Sequence, residues 1–105
     1  TEIQNTLSTF AVKYDTRDYH SGITVRPRQP QDSMRVRGGR KTLKRLMIDR
    51  KIPAAIRASV PVVCGTCGVL GVYGIGVSLD RAAAAGERAV IITIEEIEKE
   101  DLRYD

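Results

Sequence analysis

Tryptophan is absent, phenylalanine occurs once and tyrosine four times, so the core must be mainly aliphatic and base stacking has few aromatic platforms. Two cysteines are too few for a disulfide framework. No apolar run approaches the roughly 20 residues of a spanning helix. The longest, around residues 69–77, is broken by Gly71, Gly74 and Gly76. An initial Met and a basic-then-apolar leader are also missing, so the chain reads as an excised piece and not as a secreted precursor. These absences exclude a membrane span and a disulfide scaffold. A length of 105 residues excludes a multidomain enzyme. What remains is one small soluble domain, residues 1–105, expected in the cytoplasm and away from membranes.

Charge is plentiful, at 29% of residues, and unevenly spread. Residues 26–57 carry Arg26, Arg28, Arg35, Arg37, Arg40, Lys41, Lys44, Arg45, Arg50, Lys51 and Arg57 against only Asp32 and Asp49. The rest of the chain is net negative, and residues 95–105 form an acidic tail containing Glu95, Glu96, Glu98, Glu100, Asp101 and Asp105. Such a separation is the footprint of a polyanion-binding face. The bland alternative is a solvated helix face. Arginine outnumbers lysine in the basic segment, and its planar fork suits phosphate, which favours the functional reading.

The hydropathy pattern predicts an α+β domain: antiparallel strands in two groups, with two short helices between them. Residues 9–14 and 23–26 read as strands, joined as a hairpin across the polar loop 15–22. Pro27 and Pro30 end the second strand. Gly38-Gly39 marks a sharp turn, and Thr42 is the expected N-cap of a helix with Leu43, Leu46 and Met47 on its inner stripe. Lys41, Lys44 and Arg45 fall on another side of that helix. Pro53 suits the first position of a second helix, with Ile56 and Val60 as i, i+4 partners and Pro61 closing it. A hairpin follows, turning at residues 65–68, with a bulge or close backbone approach expected at its glycines. Residues 80–86 read as a connector holding one possible helical turn, and residues 89–93 as a final strand. The acidic end is a frayed helix or a solvated tail.

Catalytic motifs fail one by one. Arg40-Lys41-Thr42 lacks the glycines a phosphate loop needs, at positions held by Arg35 and Arg40. Gly71, Gly74 and Gly76 are in the wrong order for a dinucleotide fingerprint. Cys64-Gly65-Thr66-Cys67 reads as incidental turn residues; a metal shared between chains and a redox pair are the alternatives. His20 is expected on the surface, not in catalysis. No nucleophile, base and oxyanion hole assemble. The fragment itself is expected to hold no metal or cofactor and to have no catalytic residue.

The run Arg26-Pro27-Arg28-Gln29-Pro30-Gln31-Asp32 is followed by Gly38-Gly39-Arg40-Lys41-Thr42-Leu43-Lys44-Arg45-Leu46-Met47-Ile48-Asp49-Arg50-Lys51-Ile52-Pro53, then Arg57 and Val60-Pro61-Val62-Val63. With Gly76, Asp80 and Arg81, these blocks resemble the C-terminal domain of bacterial tRNA(Ile)-lysidine synthetases over about residues 23–81. The family has a glycine where Gln31 stands, and often an acidic residue in the hairpin turn that residues 64–67 occupy here. The S-G-G-x-D-S loop of the family's N-terminal ATP-pyrophosphatase domain is absent. The resemblance implies a substrate-binding appendage of an enzyme that uses ATP to attach lysine to the wobble cytidine of an isoleucine tRNA. It also implies that the domain holds tRNA chiefly at the acceptor stem. On this reading the expected RNA-binding residues are Arg35, Arg37, Arg40, Lys41, Lys44, Arg45, Arg50, Lys51 and Arg57. A general RNA-binding module and a protein-interaction or dimerisation domain with a basic face remain the alternatives.

Overall fold

The computed structural model describes residues 6–96. Its strands are β1 (Thr6–Lys13), β2 (Thr24–Arg26), β3 (Ser33–Val36), β4 (Gly39–Thr42), β5 (Val62–Gly65), β6 (Gly68–Val72), β7 (Gly76–Val77) and β8 (Ala89–Glu96). Its helices are α1 (Thr16–Ser21), α2 (Leu43–Asp49) and α3 (Ala54–Arg57). All strand pairs are antiparallel, and the α+β class holds.

A central sheet of order β2-β5-β6-β7 is covered on both faces. On one side Val62, Cys64 and Val72 pack with Met34 of β3 and Leu43, Leu46 and Met47 of α2. On the other, Val63 and Leu70 pack with Phe10 and Val12 of the two-stranded β1–β8 ribbon. Double burial explains why the β5 segment is almost continuously apolar instead of alternating. Each fully buried Leu or Val contributes roughly 2 kcal/mol. The β5–β6 hairpin forms as expected, with a register shift at Val63/Cys64 that leaves Leu70 as the extra residue on β6. Gly71 is also a close approach: a Cβ there would meet the Phe10 ring and the Gly76 carbonyl at 3.0–3.2 Å.

Several expectations are corrected. β1 and β2 do not form a hairpin, because residues 15–22 contain α1. Asp15 caps that helix by accepting the Arg17 N–H at 2.9 Å, and it also takes the Arg17 guanidinium. β1 pairs instead with β8, Phe10 opposite Ile92 and Val12 opposite Val90, which joins the two ends of the described chain. The basic residues 33–42 form a β3–β4 hairpin across Arg37-Gly38. The expected return strand breaks at Gly74, where φ of +77° turns the chain into β7. Residues 80–86 hold no helix; they run beside β1, with a bridge between Val12 and Ala82. In α3, Pro53 is the N-cap and not the first helical residue, and Ile56 is half exposed while Val60 is buried. Glu95 and Glu96 belong to β8, and the remainder of the acidic tail, 97–105, lies outside the described residues.

Candidate nucleic-acid interface

The basic segment is built on the β3–β4 hairpin and α2. Leu43 N donates to Asp32 O at 2.9 Å, and Thr42 Oγ1 accepts the Arg45 N–H at 3.2 Å, so the helix starts where the sequence predicts. Leu43, Leu46 and Met47 are buried, which leaves Lys44 and Arg45 in solvent. The helix ends in a Schellman turn: Ile52 N donates to Met47 O and Lys51 N to Ile48 O, both at 2.9 Å. Lys51 occupies the left-handed position of that turn, with φ of 59°, where glycine is the usual residue. The turn therefore places a charged residue in a strained backbone conformation.

Lys41 is on β4 and not on the helix, because the hairpin uses the residues up to Thr42. It shares Asp49 with Arg45, at 3.0 and 3.3 Å. The Lys41 hydrogen bond, helped by the nearby Arg45 charge, holds the Asp49 carboxyl below its ordinary range. Arg45 and Asp49 stand at i, i+4, a spacing that could have revealed this clamp in the sequence. Arg35 and Arg40 sit directly opposite each other in the hairpin register. Like charges so placed destabilise a strand pair. Asp80 offsets this by lying 3.6 Å from the Arg40 guanidinium, while its other oxygen accepts the Ser78 hydroxyl at 2.6 Å. The Ser78 hydroxyl is the leading reason that the Asp80 carboxyl is held below its usual range.

The expected residues thus fall into three groups. Arg35, Arg37, Lys44, Arg50 and Lys51 are exposed and make no ion pair among the described residues. Arg40, Lys41 and Arg45 are exposed but share carboxylates. Arg57 is half buried, and its Nε donates to Ile52 O at 2.9 Å, so it also braces the end of α2. Arg26 is occupied by a bidentate pair with Asp32 at 2.7 and 3.0 Å. Arg28 is half buried, with an Nε that has no hydrogen-bond partner.

Arg35, Arg37 and Arg50 line one groove of about 250 Å³ with Met34, Leu46 and Leu79 among its apolar walls. The sequence pattern did not reveal this groove. It depends on β3, α2 and the 75–79 segment meeting, which no local periodicity encodes.

The two thiols are not equivalent. Cys64 is buried in the core, where burial pushes its thiol pKa up, whereas Cys67 is exposed. No group of three or more His, Cys, Asp or Glu among the described residues is arranged to hold a metal ion. The side chain of His20, in α1, lies outside the described ones. No helix among the described residues is long and apolar enough to cross a membrane.

Comparison with known proteins agrees with this architecture. A curated tRNA(Ile)-lysidine synthase of Exiguobacterium sibiricum is 42% identical over 53 residues, covering 50% of this chain but only 13% of that protein. A solved structure described as the TILS C-terminal domain superposes with a TM-score of 0.64 at 27% identity, covering 90% of this chain and 82% of that one. The family model described as the TilS substrate C-terminal domain matches residues 23–94, from β2 into β8 and across the whole basic segment. The chain belongs to that family.

Proposed function

We propose that this domain binds tRNA for a tRNA(Ile)-lysidine synthetase and takes no chemical part in the reaction. In that proposal the parent chain carries an N-terminal ATP-pyrophosphatase domain, works in the cytoplasm, and attaches lysine to the wobble cytidine of an isoleucine tRNA with ATP. This domain would grip the acceptor stem. The observation that carries the reading is the clustering of Arg35, Arg37 and Arg50 on one groove, with Lys44 and Lys51 also making no ion pair among the described residues. Holding like charges together does nothing for the fold, and the Arg35–Arg40 pairing opposes it. An A-form stem exposes phosphates and 2′-hydroxyls more readily than base edges, and a basic hairpin and helix suit such a backbone.

The test is a salt titration of tRNA binding by wild type and a Lys44→Glu/Arg45→Glu variant, with circular dichroism as the folding control. If about four phosphates are neutralised, the log–log slope for wild type is roughly −3 to −4. The double reversal should weaken binding and flatten the slope by roughly 1 to 2 units. Equal affinities and slopes for two folded proteins would reduce the basic helix to a solvated face. Equal binding of tRNA and random duplex would favour a general RNA-binding module.

A further inference from the structure

We propose that the groove between the β3–β4 hairpin, the C-terminal end of α2 and β7 takes one unstacked nucleotide from a single-stranded RNA segment flanking a stem. The inference rests on the RNA-binding reading above and adds a site that duplex binding has no use for. A phosphate backbone needs cations. It gains nothing from an apolar floor, and this groove has one.

Met34 and Leu46 form the buried part of that floor, and Leu79 stands at its rim with 52% of its surface exposed. Arg35, Arg37 and Arg50 supply the charge. The volume, about 250 Å³, is below the roughly 300–1,000 Å³ of sites for drug-sized ligands. That is the scale of one base with part of its sugar. Arginine guanidinium planes and apolar side chains can both sandwich a base, so the shortage of aromatic residues does not exclude stacking here.

The rim is pre-organised. Arg35 N donates to Ser78 Oγ at 2.9 Å, and Arg35 O accepts the Leu79 N–H at 2.9 Å. These two bonds fix the backbone of the basic strand against the residue that carries the exposed apolar face. Arg35, Arg37 and Leu79 also line a second, open depression of about 490 Å³ on the Gly38-Gly39 side of the hairpin. A strand leaving a stem can thus keep its phosphates against the arginines while one base turns onto Leu79 and the floor. Three arginines that make no ion pair among the described residues favour a chain of phosphates over a neutral apolar peptide as the occupant.

The experiment compares two RNA hairpins of identical stem, one blunt and one with a short single-stranded extension carrying 2-aminopurine. Wild-type protein should bind the extended hairpin about tenfold more tightly, with a change in 2-aminopurine fluorescence on binding. Leu79→Ser should erase that preference and the fluorescence change while leaving blunt-hairpin affinity and its salt slope unaltered. Leu79 is half exposed, so this variant should fold, which circular dichroism checks. Equal binding of the two hairpins by wild type would overturn the nucleotide site but leave duplex binding standing. Failure to bind either hairpin would overturn both. A poly-glutamate peptide competing as well as the extended hairpin, or free mononucleotide binding as tightly as it, would also overturn the proposal.

Discussion

Arg81 places its Nη2 atom 2.6 Å from Oδ2 of Asp18, across 63 residues of chain, with both side chains largely buried. The other Asp18 oxygen accepts the Thr66 N–H at 2.8 Å, and Thr66 Oγ1 donates to Arg17 O at 2.8 Å. One carboxylate therefore joins α1, the β5–β6 turn and the connector after β7. Gly65 has no room for a side chain beside it, since a Cβ would overlap the Asp18 carboxylate.

Breaking that pair from one side strands a buried charge. Asp18→Ala should lower unfolding free energy by about 3 kcal/mol, and Arg81→Ala by a similar amount. In a double-mutant cycle the combined variant should cost clearly less than the sum, because neither charge is left alone. Urea unfolding of the four proteins measures this. Additive losses would mean the two groups do not interact.

Asp49 occupies two cations of the proposed interface, so removing its charge should strengthen RNA binding. Asp49→Asn should raise affinity and steepen the log–log salt slope by about 1 unit. Loss of these exposed pairs should cost about 0.5 kcal/mol of stability or less. A weaker or unchanged tRNA affinity in the folded variant would show that Lys41 and Arg45 do not meet phosphate.

Lys51 separates stability from binding. Replacing it with Gly relieves the left-handed backbone at φ of 59° and should stabilise the domain by about 1 kcal/mol. The same substitution removes an exposed cation and should flatten the salt slope by about 1 unit. Thermal melting and tRNA titration on the same sample check both halves. A less stable Lys51→Gly protein would contradict the turn geometry.

Acid sensitivity should come partly from Asp32. Its carboxyl accepts the Arg26 guanidinium and the Gln29 N–H at 2.7 Å, and chiefly through Arg26 its pKa lies below the ordinary value of 3.8. The unfolded chain therefore takes up this proton at higher pH than the folded one. The stabilisation is complete above the unfolded value and disappears as pH falls through the depressed folded one. Asp32→Asn should be less stable than wild type at pH 7, and the gap should close as pH drops below about 4. A constant gap down to the acid end would rule out this linkage.

The α2 segment shows how much local chemistry can specify. Thr42 as cap, the buried stripe of Leu43, Leu46 and Met47, and the exposure of Lys44 and Arg45 all follow from side-chain type and a 3.6-residue period. The concentration of positive charge in residues 26–57, and the resemblance carried by the blocks around Asp49 to Pro53, were equally legible in the sequence. Pairing of distant segments was not. Val12 and Val90 are each short apolar positions with many possible partners, and only the central sheet's second apolar face, Val63 with Leu70, selects β1 and β8 to cover it. The β3–β4 hairpin was hidden because its residues show no apolar alternation: Arg35 and Arg40 pair on one face, and on the other the buried Met34 stands opposite Lys41. Tertiary structure alone brought Lys41 to Asp49 and Arg40 to Asp80, and decided which cations face the apolar-floored groove. Those choices depend on ångström-scale distances between elements far apart in the chain, and such distances exist only once the core has closed.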